Sequence, residues 1–454
     1  MTKSKFFRDP LHLQIRFESV DLSAACPDDS IDSRISWALQ KIIDTEAFQR
    51  LRHIRQNGLA NMVFHGAEHS RFSHSMGVSH LARRMYSKLC LNSSINENDD
   101  KKLQVAIAAL VHDLGHGPFS HTMEEILKKN NVPFHHESMT LRFINDEESE
   151  VNSILKSIDN NLPYKISKFF DKKIDGREDD FIYKIVSSQM DADRLDYVQR
   201  DALFCGIRGH GFDLERLLDL IFVLDHRNIA VHRNGIEAVE GYLVTLDQMW
   251  RAVYYHQAVR SCSVIVTSLF KRAFRLFTDG DQTIFPTDGK DHPMSLLFKE
   301  GKNISLETYL RLSDATAWDL INRWRNNDDM VLKDLSNRIA KRNLLKSVTL
   351  DSLSINKTQE IITKAKELTK KQMPDIDQVD EYYVVIDDPT RTSYNKYDWK
   401  PEGPNNSIWL TGGESGKDCP IEDSDESGLI GALKNPRHFE RLFVTSEVRK
   451  LLLK

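Results

Sequence analysis

The stretch LVHDLGHGPFSH, residues 110–121, sets three histidines and an aspartate directly behind the apolar run VAIAALV. Titratable groups at the end of a core-type helix are costly unless something holds them. They have company, since ten of the 17 histidines lie between His53 and His136. RFSHSMGVSH offers His74 at the start of a helix, and His112-Asp113 ends the apolar one. SSQMDADRLDYVQRD offers Asp193 on a further helix, while His116, His121, His136 and Glu137 follow close behind the His-Asp pair. A lone histidine is more often a satisfied core residue, and the dipeptide HD alone carries almost no signal. The pattern H…HD…D on successive helices carries much more. Adjacent His and Asp side chains can turn to one cation where a helix ends, and Gly115 and Gly117 let the backbone leave tightly. Two histidines and two aspartates suit a transition metal with positions left open for water and substrate. Such a centre acidifies water and neutralises phosphate oxygens, so its natural chemistry is hydrolysis of a phosphate ester.

Positioning these groups falls to helices. Apolar residues at i, i+3, i+4 spacing predict helices over 41–56, 73–90, 101–113 and 120–130, with others over 181–203, 236–278, 305–325, 330–346 and 356–371. IFVLDHRNIAVHR (221–233) reads as a hairpin with Asn228 near its turn. After about residue 347 the pattern changes: EYYVVIDD (381–388) and SIWL (407–410) read as strands joined by a polar loop, and a short helix and RLFV (441–444) close the chain. The expected architecture is mainly α, with a helical catalytic core over 1–347 and a smaller α+β lobe over 348–454.

At 454 residues, 40% hydrophobic and 28% charged, the chain is of globular composition. A net charge of −5 supplies no global basic field for nucleic acid and leaves local patches open. The five cysteines form no CxxC pair, and no apolar leader or spanning stretch is visible, which points to a soluble cytoplasmic protein without a membrane partner.

The H…HD…D pattern resembles the HD phosphohydrolase superfamily. More narrowly, FFRDPLH, IIDTEAFQRLRHIRQ, VFHGAEHSRFSHSMGV, HDLGHGPFSH, HHES and DADRLDYVQRD resemble, in order, the dNTP triphosphohydrolases that join a SAM domain to an HD domain, and their bacterial dGTPase-like relatives. The likeness is close over residues 5–346 and looser beyond, with no SAM domain preceding it.

The resemblance implies that His74, His112, Asp113 and Asp193 hold a divalent transition metal (Fe, Mn, Zn, Ni or Co), alone or with Mg²⁺. It implies that His116, His121, His136 and Glu137 line the reacting phosphates. His121 and Glu124, at i and i+3, share a helix face. A carboxylate held against imidazole raises its pKa, so His121 is the expected leaving-group acid, with His116 its rival. Arg71, Arg194 and Tyr197 match triphosphate contacts, Gln56 and Asp201 match groups on the 3′-hydroxyl, and Tyr254 matches the aromatic that excludes ribonucleotides. Leu246 and Trp250 depart from the pattern, standing where the family has an Arg and a His; Arg251 is a candidate substitute.

A second, allosteric site is implied by Asp44, Gln49 and Arg52 as guanine readers, with Arg342 and Lys346 as phosphate clamps across a subunit boundary and Arg216 as a weaker match. An amphipathic surface helix is the plain alternative for the first three. The expected protein is a metal-dependent dNTP triphosphohydrolase releasing deoxynucleoside and tripolyphosphate. It is a homo-oligomer (a tetramer or dimer of dimers) under GTP or dNTP activation. The alternatives are an HD phosphohydrolase for another nucleotide, a monophosphate or cyclic dinucleotide, and a non-catalytic nucleotide sensor.

Overall fold

The computed structural model describes residues 5–171, 180–208, 211–286, 291–351, 353–388, 390–391, 407–412, 417–433 and 437–453. The chain enters through an antiparallel hairpin, β1 (Lys5–Asp9) and β2 (Leu13–Phe17), which the sequence pattern did not reveal. Helix α1 (Ile31–Ile43) follows, capped by Ser30 and burying Ile35, Ala38, Leu39 and Ile42 at helical spacing. The single helix expected over 41–56 is broken at Asp44: Thr45 accepts the amide of Phe48 and starts α2 (Glu46–Arg50), with a 3₁₀ turn over Leu51–His53.

Next come α3 (Arg71–Asn92), α4 (Asp99–Val111), α5 (His121–Lys129) and α6 (His136–Asn145). Every residue of α4 from Val105 to Val111 is buried, which makes it the central helix, packed between α1 and α3. Gly115, in the turn that leaves α4, lets α6 approach: a Cβ there would stand 2.0 Å from the His136 carbonyl oxygen. Two short helices, α7 (Glu150–Ile158) and α8 (Leu162–Ser167), lead to α9 (Ile182–Val186) and α10 (Ala192–Phe204). The expected helix 181–203 is thus also two, because Asp191 takes the amides of Ser188 and Arg194 and caps a fresh start.

After α11 (Leu214–Asp219), β3 (Ile221–Leu224) and β4 (Asn228–His232) form the expected hairpin. Its turn uses left-handed Asp225 and His226, so Asn228 is the first residue of the return strand. The long helix expected over 236–278 resolves into α12 (Ile236–Met249), a π-helical turn over Trp250–Tyr254, and α13 (Gln257–Thr278) capped by His256. Then follow α14 (Pro293–Glu300), α15 (Leu306–Leu310), α16 (Asp314–Trp324) and α17 (Met330–Ala340). The segment 305–325 is therefore also split, at Arg311–Ser313.

Strand β5 (Lys346–Thr349) and α18 (Ile355–Gln372) lead to α19 (Asp380–Tyr383), so the strand expected over 381–388 shrinks to β6 (Val385–Asp387). The polar loop expected beyond it falls largely outside the described residues. Of the remaining elements, β8 (Trp409–Thr411, after the two-residue β7 at Thr390–Arg391) pairs in parallel with β4, and β9 (Arg441–Val444) lies between β5 and β6. The main core runs from Ile15 to Phe443 and takes in Tyr382, Tyr383 and Leu410, while a small satellite core gathers Leu350, Ile362, Leu442 and Val448.

Candidate metal centre and nucleotide cavity

Three helices bring the dispersed H…HD…D residues together. His74, one turn into α3, has its Nε2 3.0 Å from Asp193 Oδ1 of α10 and 3.8 Å from Asp113 Oδ2. His112 Nε2 lies 3.3 Å from Asp113 Oδ1 and 3.8 Å from Asp193 Oδ1. His112 Nδ1 donates to the Ala109 carbonyl (2.8 Å), which leaves its Nε2 lone pair facing carboxylate oxygens, and that buried atom has no hydrogen-bond partner. His112 Nε2 thus presents a buried, unpartnered lone pair beside the carboxylates of Asp113 and Asp193, and that donor set fits a divalent metal. Behind them, Asp196 accepts from His74 Nδ1 at 2.8 Å. A carboxylate and a backbone carbonyl on the far nitrogens orient metal-binding imidazoles.

The electrostatics depend on close pairing. Burial works to raise the Asp113 carboxyl, but Arg71, 2.5 Å from its Oδ2, and the imidazoles of His112 and His116 hold it well below the usual carboxylate range. His74 is fully buried, and the carboxylates of Asp193 and Asp196 outweigh that burial and lift it to about 10. Asp196 is itself held by Arg200, which also pairs with Asp9 of β1 and so ties the entry hairpin to the centre.

In front of the centre opens a cavity of about 610 Å³. His116, His121, His136 and Glu137 line it, with Arg71, Gln56, Arg194, Tyr197, Asp201 and Tyr254. Glu124 bridges two histidines, His121 Nδ1 at 2.9 Å and His136 Nδ1 at 2.6 Å, and those bonds hold its carboxyl far below the ordinary range against the effect of burial. Tyr254 donates to Asp201 Oδ2 at 2.5 Å, and burial followed by that carboxylate keeps its phenol well above the ordinary value. Arg194, on the first turn of α10, lies against Asp191, whose burial raises its carboxyl to about 7.

Some residues that build the site escaped the sequence reading. His69 is buried and meets Asp201 Oδ1 at 2.8 Å, bracing the Asp201–Tyr254 pair from behind. Its only signal was its place in GAEHSRFSH. Arg50, also buried, donates to the carbonyls of Leu114 and His116 at 2.8 Å each and clamps the turn after α4. Arg260 of α13 lines the cavity while pairing with Asp387 of β6. Asp196 carried a readable signal, standing one turn after Asp193 on the same helix.

The departures and the second constellation lie as follows. Leu246 is buried outside the cavity lining, Trp250 is part of that lining, and Arg251 pairs with Asp247 at 2.9 Å and does not reach the cavity wall. Asp44 is exposed at the end of α1, and Gln49 accepts from Arg52 Nε at 2.8 Å, with the Arg52 guanidinium 3.5 Å over Phe72. Arg342 donates to the Met62 carbonyl at 2.7 Å, and Lys346 is exposed on β5. Arg216 lies apart on α11 beside Asn234. None of these six lines the cavity.

The family described as HD domain matches residues 71–198, the span from Arg71 to the middle of α10. The uncharacterized protein YwfO of Bacillus subtilis is 33% identical over 397 residues, covering 87% of this chain and 82% of that one. The deoxynucleoside triphosphate triphosphohydrolase SAMHD1 homolog of Dictyostelium discoideum is 33% identical over 261 residues, 55% of this chain and 49% of that one. The chain thus spans about half the length of that relative. In fold, a phosphohydrolase from Bacteroides thetaiotaomicron superposes with a TM-score of 0.75 over 98% of this chain and 100% of its own, at 23% identity. No described helix is long and apolar enough to cross a membrane.

Proposed function

This chain belongs to the HD-domain family, and from that premise we propose that it is a metal-dependent deoxynucleoside triphosphate triphosphohydrolase, releasing deoxynucleoside and tripolyphosphate. The observation that carries the reading is the cavity, whose wall holds His112, Asp113 and Asp193 as well as the Asp201–Tyr254 pair. A phosphate and a sugar thus have separate partners in one enclosure. A divalent ion among His74, His112, Asp113 and Asp193 supplies a Lewis acid that acidifies water and neutralises phosphate oxygens. The protein's own groups do the rest. Arg71 and Arg194 meet phosphate charge, and Tyr197 adds a hydroxyl. His121, oriented by Glu124, protonates the departing 5′-oxygen, with His116 as the alternative donor. Gln56, whose buried Oε1 lacks a partner in the structure, and Asp201 take the 3′-hydroxyl, while Tyr254, tied to Asp201, closes the space a 2′-hydroxyl needs.

The test is chromatography of products from each dNTP with Mn²⁺ or Mg²⁺. Tripolyphosphate with deoxynucleoside supports the reading, and inorganic phosphate or pyrophosphate as first product rules it out. A second reading, an HD phosphohydrolase for another nucleotide, is favoured by Trp250 in the cavity wall and by Arg251 being held by Asp247. The same assay with monophosphates and cyclic dinucleotides decides between them.

The proposal extends to a cytoplasmic homo-oligomer activated by GTP or a dNTP, with Asp44, Gln49 and Arg52 reading the base, Arg342 and Lys346 meeting phosphates, and Arg216 a weaker nucleotide contact. The Gln49–Arg52 bond, which pre-orients the guanidinium, supports it. Sedimentation and turnover with and without GTP or dGTP test it, and Arg52→Ala should raise the activator concentration required. Indifference of both measurements would reduce this region to a surface helix.

A further inference from the structure

The cavity wall carries a further arginine that the metal centre and the Asp201–Tyr254 pair do not engage. Arg71 pairs with Asp113, and Arg194 follows Asp193 on α10, so both serve the metal end. Arg260, near the start of α13, is anchored instead to the C-terminal lobe: its Nε and Nη2 meet Asp387 of β6 at 2.9 and 2.5 Å. The geometry points to a base-reading role: Arg260, held by Asp387, recognises the 6-oxo edge of guanine and gives the cavity a preference for guanine over adenine deoxynucleotides.

Its place along the cavity comes first. With phosphates met by Arg71, Arg194 and Tyr197 and the sugar by Gln56, Asp201 and Tyr254, the base falls to the lining that follows Tyr254. Tyr255, Val259 and Arg260 supply it, and α13 packs against the turn over Ala60–Met62, which brings Leu59 and Ala60 into the same wall. Tyr255, Val259, Leu59 and Ala60 are apolar and buried, a surface for a planar ring, with Arg260 as its cation. This placement rests on the proposed function, which decides the end of the substrate that faces the metal.

The fork of Arg260 supplies the selectivity. A carboxylate that takes Nε and one N–H of Nη2 leaves the second N–H of Nη2 and those of Nη1 as an end-on pair. Among the described residues Nη1 makes no hydrogen bond, and Glu125 Oε2 stands 3.7 Å from Nη2, beyond hydrogen-bond range. Two parallel N–H groups match guanine, whose O6 and N7 accept side by side. Adenine places its amino donor where O6 stands, so donor faces donor, and pyrimidines have no N7. The fork is also fixed in advance. The Asp387 side chain is only 5% exposed, and α13 is tied down nearby by Arg441 of β9, which donates to the Tyr255 carbonyl at 2.6 Å. Ser261 adds a bond to the Leu345 carbonyl at 2.8 Å, just before β5. A reader ordered before its ligand arrives gives up little entropy on binding. Asp387 is thus a positioning residue, and through it the C-terminal lobe takes part in substrate choice.

The test compares kcat/KM for dGTP, dITP, 7-deaza-dGTP and dATP in the metal-loaded full chain. GTP is held at a fixed saturating concentration, which keeps any second guanine site filled. Wild type should favour dGTP and dITP, which share O6 and N7, over dATP by about 5- to 100-fold, the scale of one bidentate pair. The 7-deaza analogue, with one acceptor lost, should fall between. Arg260→Gln should erase the preference. Arg260→Lys keeps a cation against Asp387 without the planar fork; it should erase the preference too, and it decides the matter if the first variant does not fold. Asp387→Asn should raise KM for dGTP while kcat holds, as loss of binding alone does. Equal use of dGTP and dATP by wild type overturns the assignment, and so does a fall in both that leaves their ratio intact in the Arg260 variants. Calorimetric binding of dGTP and dATP in EDTA, with the same GTP, reads the site without turnover. A preference there that Arg260→Lys abolishes, in a protein that hydrolyses no dNTP, leaves Arg260 in its role and removes the proposed function instead.

Discussion

Asp113 faces Arg71, His74, His112 and His116 at 2.5, 3.8, 3.3 and 3.3 Å, so one carboxylate touches a guanidinium and three imidazoles of the centre. Asp113→Ala should therefore lower metal affinity by at least the ~10–100-fold seen for changes behind the ligands. Helical content should stay unchanged by circular dichroism. Full metal occupancy in an inactive variant would remove Asp113 from the ligand set. Glu124 makes a different kind of prediction. It holds both His121 and His136, so Glu124→Gln should slow turnover toward the level of His121→Ala, a loss of about 10²–10⁴-fold. The double variant should be little worse than either single one, because the two residues act as a unit. Additive losses in steady-state kinetics would separate them.

Elements decide whether those side chains meet at all, and here Gly115 is the sensitive point. A Cβ would stand 2.0 Å from the His136 carbonyl oxygen and 2.5 Å from the Thr140 amide, both backbone atoms of α6 that cannot swing aside. Gly115→Ala should cost about 1–3 kcal/mol of stability by overpacking. It should also reduce turnover by moving His136 away from His116; a variant with wild-type melting and activity would contradict the packing. The sequence let much of this level be read. The helix α18 was legible because burial on one side leaves a 3.6-residue pattern, and α4 because its apolar run VAIAALV is continuous. The residues gathered at the centre were legible because a metal demands particular donor types. The breaks were not: Thr45 and Asp191 cap new helices inside runs whose apolar period continues through the cap. Nor was the π-helical turn over Trp250–Tyr254, which inserts a residue without changing composition and turns Trp250 and Tyr254 into the cavity wall. Arg50 and His69 were missed because their partners are backbone carbonyls and a residue 132 positions away, respectively.

Across the whole molecule, the entry hairpin is joined to the helical body through charged and imidazole side chains, and that seam should be sensitive to acid. His12 of the hairpin turn meets Asp196 at 2.7 Å and lies 5.2 Å, ring to ring, from His80 of α3. Burial, followed by the positive charges of His12, Arg83 and Arg84 and opposed only by Asp9, pushes His80 down to about 3. The unfolded chain binds a proton at this residue once the pH drops below roughly 6.5, whereas the folded chain does not until about 3. Between those values the unfolded state holds more protons, so stability rises with pH and is lost as the solution is acidified. The limit for one such group is about 1.4 kcal/mol per pH unit, and partial exposure of His80 brings the real slope below that. His80→Gln removes the titrating ring while keeping a polar side chain of similar reach. Urea midpoints measured from pH 7 down to 4.5 should fall more steeply for wild type than for His80→Gln, the two curves keeping a constant separation only above the histidine range. Parallel curves would mean that His80 takes up its proton in the folded state as easily as in the unfolded one, and that the seam does not exclude charge.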